Sequence, residues 1–89
     1  MKVVINRCWG GYGLSESAYK ELGLKWDNYG YEFEDDRTNP ALVACVEKLG
    51  QKASGPMANL VIVEIPDDVK WELDNYDGQE SIHEKHRSW

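Results

Sequence analysis

The sequence is poor in cysteine and has no long apolar run. Only Cys8 and Cys45 occur in 89 residues, without zinc-type spacing, so the thiols read as free and no structural metal is expected. No stretch approaches the roughly 20 apolar residues that cross a bilayer, and no apolar leader segment opens the chain. A cytoplasmic protein with no membrane contact is expected. Bases are scarce as well: ten Lys and Arg against sixteen Asp and Glu leave a net charge of −6. That balance argues against non-specific nucleic-acid binding, which draws affinity from cations displacing counterions along the phosphate backbone. No internal repeat, low-complexity segment or linker is visible, so residues 1–89 read as a single domain.

What is present is aromatic. Four tryptophans and five tyrosines bring large apolar area to a chain that has room for only one core, and self-association would add to its stability. The charge is two-sided: Glu32, Glu34, Asp35 and Asp36 gather in one stretch, whereas residues 83–87 are the most cationic.

The β-branched opening of residues 2–8 predicts a first strand. Glycines 10, 11 and 13 break it, and Ser15 then caps a helix that ends near Gly23, with Leu14 and Tyr19 as its hydrophobic staple. Residues 24–38 are aromatic and acidic without periodicity and read as a surface loop. Asn39-Pro40 starts a second helix with Leu42, Val43, Val46 and Leu49 on its core face. The continuous apolar run 59–65 predicts a central strand buried on both faces. Val69, Trp71 and Leu73 alternate with charged residues and predict a strand in a hairpin with it. Beyond Asp77-Gly78, the spacing of Ile82, His86 and Trp89 predicts a last short helix over 79–87. The expected fold is α+β: an approximately three-stranded, mainly antiparallel sheet with helices packed on one face, in the order β-α-loop-α-β-β-α.

Two constellations invite a functional reading. The first is the turn around Gly10, Gly11, Tyr12 and Gly13, between a strand and a helix. Such a turn lets backbone N–H groups approach an anion, although the spacing fits neither the P-loop nor the dinucleotide fingerprint; a purely structural turn is the other reading. The second is the polar face of the C-terminal segment, where Glu80, His83 and Arg87 fall together at helical spacing. Arg87, with its planar fork of donors, suits phosphate, or else meets a helix end or an acid. Flat rings at Trp9, Tyr12, Trp26, Tyr29, Tyr31 and Phe33 offer stacking surfaces in company with Arg7, Arg37 and Arg87, or else pack the core. Glu80-x-x-His83 has no second copy to complete a di-metal site. Cys8 with His83 or His86 is the one nucleophile–base pairing to be named. No convincing active site emerges, no cofactor is implied, and a binding protein rather than an enzyme is expected.

Residues 3–15, the helix after Arg37-Thr38-Asn39-Pro40 and the ending 76–89 together resemble a group of small phage and prophage proteins over nearly the whole chain. More narrowly, the sequence resembles phage anti-defence sponges of the Thoeris-inhibiting kind, which sequester cyclic ADP-ribose-type signals and, in some members, cyclic oligonucleotides. The resemblance implies a homo-oligomer that binds a small anionic nucleotide intact near protomer interfaces, with arginines on phosphate and aromatics on the base. Arg87 fits the phosphate role best and Arg37 next, with His83 one helical turn before Arg87. A histidine there departs from a more strongly basic pattern. The acidic residues 32–36 are expected away from such a pocket. The competing expectation is an acidic, DNA-mimic-like inhibitor that binds a host enzyme.

Overall fold

Strand β1, Lys2–Asn6, is the axis of the molecule: Val3, Val4, Ile5 and Asn6 are all 0 % exposed. The computed structural model describes residues 1–84 and the backbone of Arg87 and Ser88. β1 pairs antiparallel with β2, Leu60–Glu64, in the register Lys2↔Glu64 to Asn6↔Leu60. Alternation along β1 sends side chains to two different cores. Val4 joins Leu14, Tyr19, Leu42, Val46 and Leu60 beneath helices α1 (Glu16–Leu22) and α2 (Pro40–Leu49). Val3 and Ile5 meet Ile65 and Ile82 on the other face.

Both helices begin where the sequence places their caps, and α1 ends at Gly23 as expected. Ser15 accepts a hydrogen bond from the Ala18 N–H at 3.0 Å, and Gly23 closes α1 at φ 73°. Asn39 accepts from the Ala41 N–H at 2.9 Å ahead of Pro40. A 3-10 turn, Gly50–Ala53, follows α2. Cys45 is a buried apolar residue of α2, and burial pushes its thiol pKa up.

The C-terminal part departs from expectation. Residues 79–84 form strand β4, Gln79–Glu84, not a helix, and pair antiparallel with β3, Trp71–Tyr76. The cause is the two-residue turn between them: Asp77 and Gly78 stand at φ 52° and 91°, the positive values a tight hairpin turn of primed type requires. A two-residue strand β5, Arg87–Ser88, continues this second sheet beside β4. The side chain of Arg87 and all of His86 and Trp89 lie outside the described residues.

The expected hairpin of 59–65 with the following strand is also replaced. β2 pairs with β1 and β3 with β4, giving two antiparallel sheets rather than one. Pro66 and the turn at Asp67-Asp68 carry the chain off β2, so β3 is delivered to the opposite face of β1–β2 instead of its edge. Helices cover one face of β1–β2 as expected, and the β3–β4 hairpin covers the other through Ile82, Trp71 and Leu73. The strand buried on both faces is β1; the middle of β2, Val61, Ile62 and Val63, is only half-buried.

Because Ile5 is enclosed between the sheets, Ile5→Ala is expected to cost about 2–5 kcal/mol in urea unfolding. Gly78→Ala should also destabilise, because its Cβ would overlap the Trp9 carbonyl oxygen and demand a left-handed conformation. Wild-type stability of both variants would contradict the layered packing described here.

Candidate functional site

Each strand of a two-stranded sheet has one edge left over, and on β1 that edge is met by Arg37 and Glu80. The Val4 N–H donates to the Arg37 carbonyl at 2.9 Å, and the Val4 carbonyl accepts from Arg37 Nη1 at 3.3 Å. The Asn6 N–H donates to Glu80 Oε1 at 2.7 Å. Arg37 and Glu80 then pair in the fork geometry that suits a guanidinium and a carboxylate: Nη1 to Oε1 at 2.6 Å and Nη2 to Oε2 at 2.7 Å. Both are buried, at 6 % and 4 % exposure.

The rest of the guanidinium is also occupied. Arg37 Nε donates to the Glu34 carbonyl at 2.7 Å, and the guanidinium carbon lies 4.0 Å from the Tyr12 ring centroid, a cation–π distance. The Tyr12 hydroxyl in turn donates to the Glu32 carbonyl at 2.7 Å. Burial pushes the Tyr12 pKa well up against the opposing pull of Arg37, so the hydroxyl stays a donor. Arg37 therefore does not present free donors for phosphate. Glu80 is its partner rather than a member of a polar face with His83, because on a strand residues three apart point to opposite faces.

Asn6 ties the same region to the β3–β4 turn and to the residue before β2. Its Nδ2 donates to the carbonyls of Cys8 at 2.8 Å and Gly78 at 2.7 Å, and its Oδ1 accepts from the N–H of Asn59 at 2.8 Å. These bonds press the turn of β3–β4 against the glycine turn. A Cβ on Gly10 would overlap Met57, and one on Gly30 would overlap the Leu14 carbonyl oxygen. Several amides that might have faced an anion are already used: Gly11 N–H donates to Cys8 O, Leu14 N–H to Gly30 O and Ser15 N–H to Ala53 O. The glycine turn is foremost a junction where backbones approach closely.

The acidic loop is ordered by two buried tyrosines. Tyr19 donates its hydroxyl to Asp27 Oδ2 at 3.1 Å and accepts from the Glu32 N–H at 3.0 Å. Asp27 Oδ1 accepts from the N–H groups of Tyr29 at 2.8 Å and Gly30 at 2.9 Å. Trp26 packs edge-on to Tyr19, and Phe33 leans on the main core. Tyr29 and Tyr31 are thereby held outside, 70 % and 57 % exposed, stacked at 6.2 Å between centroids with 13° between planes.

Two adjoining concavities share Gly10, Gly11, Tyr12 and Tyr31. One, of about 420 Å³, runs past Glu34, Asp35 and Asn75 to the Arg37–Glu80 pair. The other, of about 190 Å³, lies between Gly13, Tyr29 and the segment 55–58. The structure thus brings Gly10, Gly11, Tyr12 and Gly13 to one mouth, and Arg7 stands exposed just before it. The acidic residues Glu34 and Asp35 line the same mouth, contrary to the expectation that they lie apart, because Arg37 draws its own loop onto β1.

His83 and position 87 are not gathered there. His83 opposes Glu72 and position 87 opposes Glu84, toward the open end of the hairpin. Five residues of extended chain, roughly 16 Å, separate His83 from Gly78. His83 Nε2 lies 2.9 Å from Asp74 Oδ2 and 3.1 Å from Ser81 Oγ. Among the described residues no three His, Cys, Asp or Glu form a group suited to a metal ion, and no helix is long and apolar enough to cross a membrane. Sequence reasoning missed the buried roles of Asn6 and Glu80. A signal existed for the first, an Asn ending an otherwise apolar strand.

Removing one partner of the buried pair strands the other charge. Arg37→Met or Glu80→Leu alone should cost about 3–5 kcal/mol, and the double variant less than their sum, in urea unfolding. Strict additivity would contradict the pairing. The loop has its own pH response. The Gly30 and Tyr29 amides hold the Asp27 carboxyl below its ordinary value of 3.8, so its stabilisation is complete above that value and lost as pH falls through the lowered one. Amide spectra of Tyr29 and Gly30 should therefore stay unchanged from neutrality to mild acid and shift below 3.8. In Asp27→Ala this acid transition should vanish.

Compared with known protein families, with curated proteins and with solved structures, the chain matches none.

Proposed function

We propose that this is a non-catalytic binding protein that captures an immune signalling nucleotide intact, of the cyclic ADP-ribose or cyclic oligonucleotide type, and so blunts a host's anti-phage defence in the host cytoplasm. The observation that carries it is the stacked, outward-held Tyr29–Tyr31 pair at the mouth shared by the two concavities beside the glycine turn. Exposed rings fixed from behind are stacking platforms for a base, since every base has a flat face. A cleft of about 420 Å³ is within the range that small-molecule ligands fill. The resemblance of the chain to small phage and prophage proteins, and more narrowly to sponges of the Thoeris-inhibiting kind, suggests the ligand class. Arg7 is the cation nearest in sequence to the turn. His83 and Arg87 contribute to the phosphates only across a protomer interface, which makes a homo-oligomer part of the proposal.

Incubation with a panel of cyclic ADP-ribose isomers and cyclic oligonucleotides, followed by heating and mass spectrometry, should release one class of ligand unchanged. Tyr31→Ala should weaken that binding by about 1–3 kcal/mol. Absence of retention, or recovery of a converted product, would sink the proposal.

A second reading, an acidic inhibitor of a host enzyme, is favoured by one observation: Glu34 and Asp35 line the cleft that the first reading assigns to an anion. It expects a specific host protein in a pull-down, released by salt and lost in Glu34→Gln/Asp35→Asn.

A further inference from the structure

Among the described residues, the large apolar side chains left in water are Trp9, Tyr29, Tyr31, Met57 and Tyr76, and they are gathered rather than scattered. Tyr29, Tyr31 and Met57 line the smaller concavity. Trp9 directly precedes Gly10 at the shared mouth, and its ring meets Tyr76 edge-on at 5.9 Å. Tyr76 in turn follows Asn75, which lines the larger concavity. Single exposed apolar residues are ordinary, but a contiguous set marks a surface that another molecule covers. Tyrosine, tryptophan and methionine are also the residues enriched where proteins meet proteins.

The surrounding charge selects the kind of partner. A third concavity, of about 550 Å³, shares Tyr31, Glu34 and Asp35 with the larger one and adds Asp27, Glu32 and Asp36, with no base in its lining. The one base lining the larger concavity is Arg37, which Glu80 neutralises. Asp27 is engaged by Tyr19 and the amides of its own loop, and Asp36 by Asn39. The carboxylates of Glu34 and Asp35, by contrast, have no hydrogen bond or ion pair among the described residues.

We propose that this ring-bordered cleft is a docking surface for a basic segment of a foreign protein, one arginine of that segment seating between Tyr31 and the carboxylates of Glu34 and Asp35. The inference rests on the second reading above and gives it an anchor. Arginine fits better than lysine, because a planar guanidinium lies on a ring face and forks onto a carboxylate at once. Arg37 does both inside the protein, over Tyr12 and on Glu80. Trp9, Met57 and Tyr76 cover the apolar stems beside that anchor and exclude water from it. The net charge of −6 draws a basic segment in from a distance.

Amide NMR titration of the full chain with N-acetyl-arginine amide tests the seat. The amides of Gly10, Gly11, Tyr31 and Asp35 should shift together and saturate, whereas N-acetyl-citrulline amide, of the same shape without the charge, should leave them unmoved. Glu34→Gln/Asp35→Asn should lose the saturable shift; the Glu34 carbonyl that holds Arg37 is backbone and persists in that variant. Tyr31→Ala should weaken the titration by roughly two- to fivefold. No saturation, an equal response to the citrulline compound, or shifts centred on Asp67, Asp68 and Glu72 would overturn the proposal. So would a folded Glu34→Gln/Asp35→Asn chain that responds like the wild type; should that variant not fold, the arginine–citrulline comparison decides alone. Capture of a specific host protein without any arginine response removes this seat and leaves the second reading standing. A saturable arginine response without a captured protein keeps the seat and removes the enzyme-inhibitor reading.

Discussion

The buried pair of Arg37 and Glu80 answers a problem posed by β1. A strand enclosed on both faces must satisfy the N–H and C=O groups of both edges, because unpaired backbone groups away from water cost free energy. β2 serves one edge. On the other, no strand pairs among the described residues; the carbonyl and guanidinium of Arg37 and the carboxylate of Glu80 take that place. Two charges out of water are tolerable only when paired with good geometry, and the forked contact at 2.6 and 2.7 Å meets that condition. The loop before α2 and the strand β4, remote in sequence, are thereby fastened to the same few atoms of β1.

From that fastening the shape of the candidate site follows. Arg37 draws residues 31–36 toward the glycine turn, and Tyr12, caught between the Arg37 guanidinium and the Glu32 carbonyl, fixes their spacing. Asn6 brings the Asp77-Gly78 turn to the same place. Glycines 10, 30 and 78 matter because their neighbours leave no room for a Cβ. What remains outside is a pair of concavities bordered by tyrosine rings and carboxylates. The internal neutralisation of Arg37 by Glu80 leaves Glu34 and Asp35 as the dominant charge of the larger one. Among the described residues, Arg7 is the exposed cation that stands just before the glycine turn. Tyr29 and Tyr31 stand exposed and stacked at the border of these concavities.

Local chemistry by itself determined both helices. Ser15 and Gly23 cap α1, and Asn39-Pro40 opens α2, because a cap acts on N–H and C=O groups within a few residues. The positions of the strands at 2–6, 60–64 and 71–76 were equally legible from their side-chain patterns, and so was the presence of a turn at Asp77-Gly78. Which strands pair was not, because the apolar runs of β1 and β2 look alike and only the contacts of the whole fold decide which is enclosed. Ile82, at a spacing that also suits a helix, became a strand residue once the left-handed turn before it folded the chain back on β3. The roles of Arg37 and Glu80 likewise belong to tertiary structure: a charged side chain has no intrinsic task until burial removes water and leaves the other as its partner.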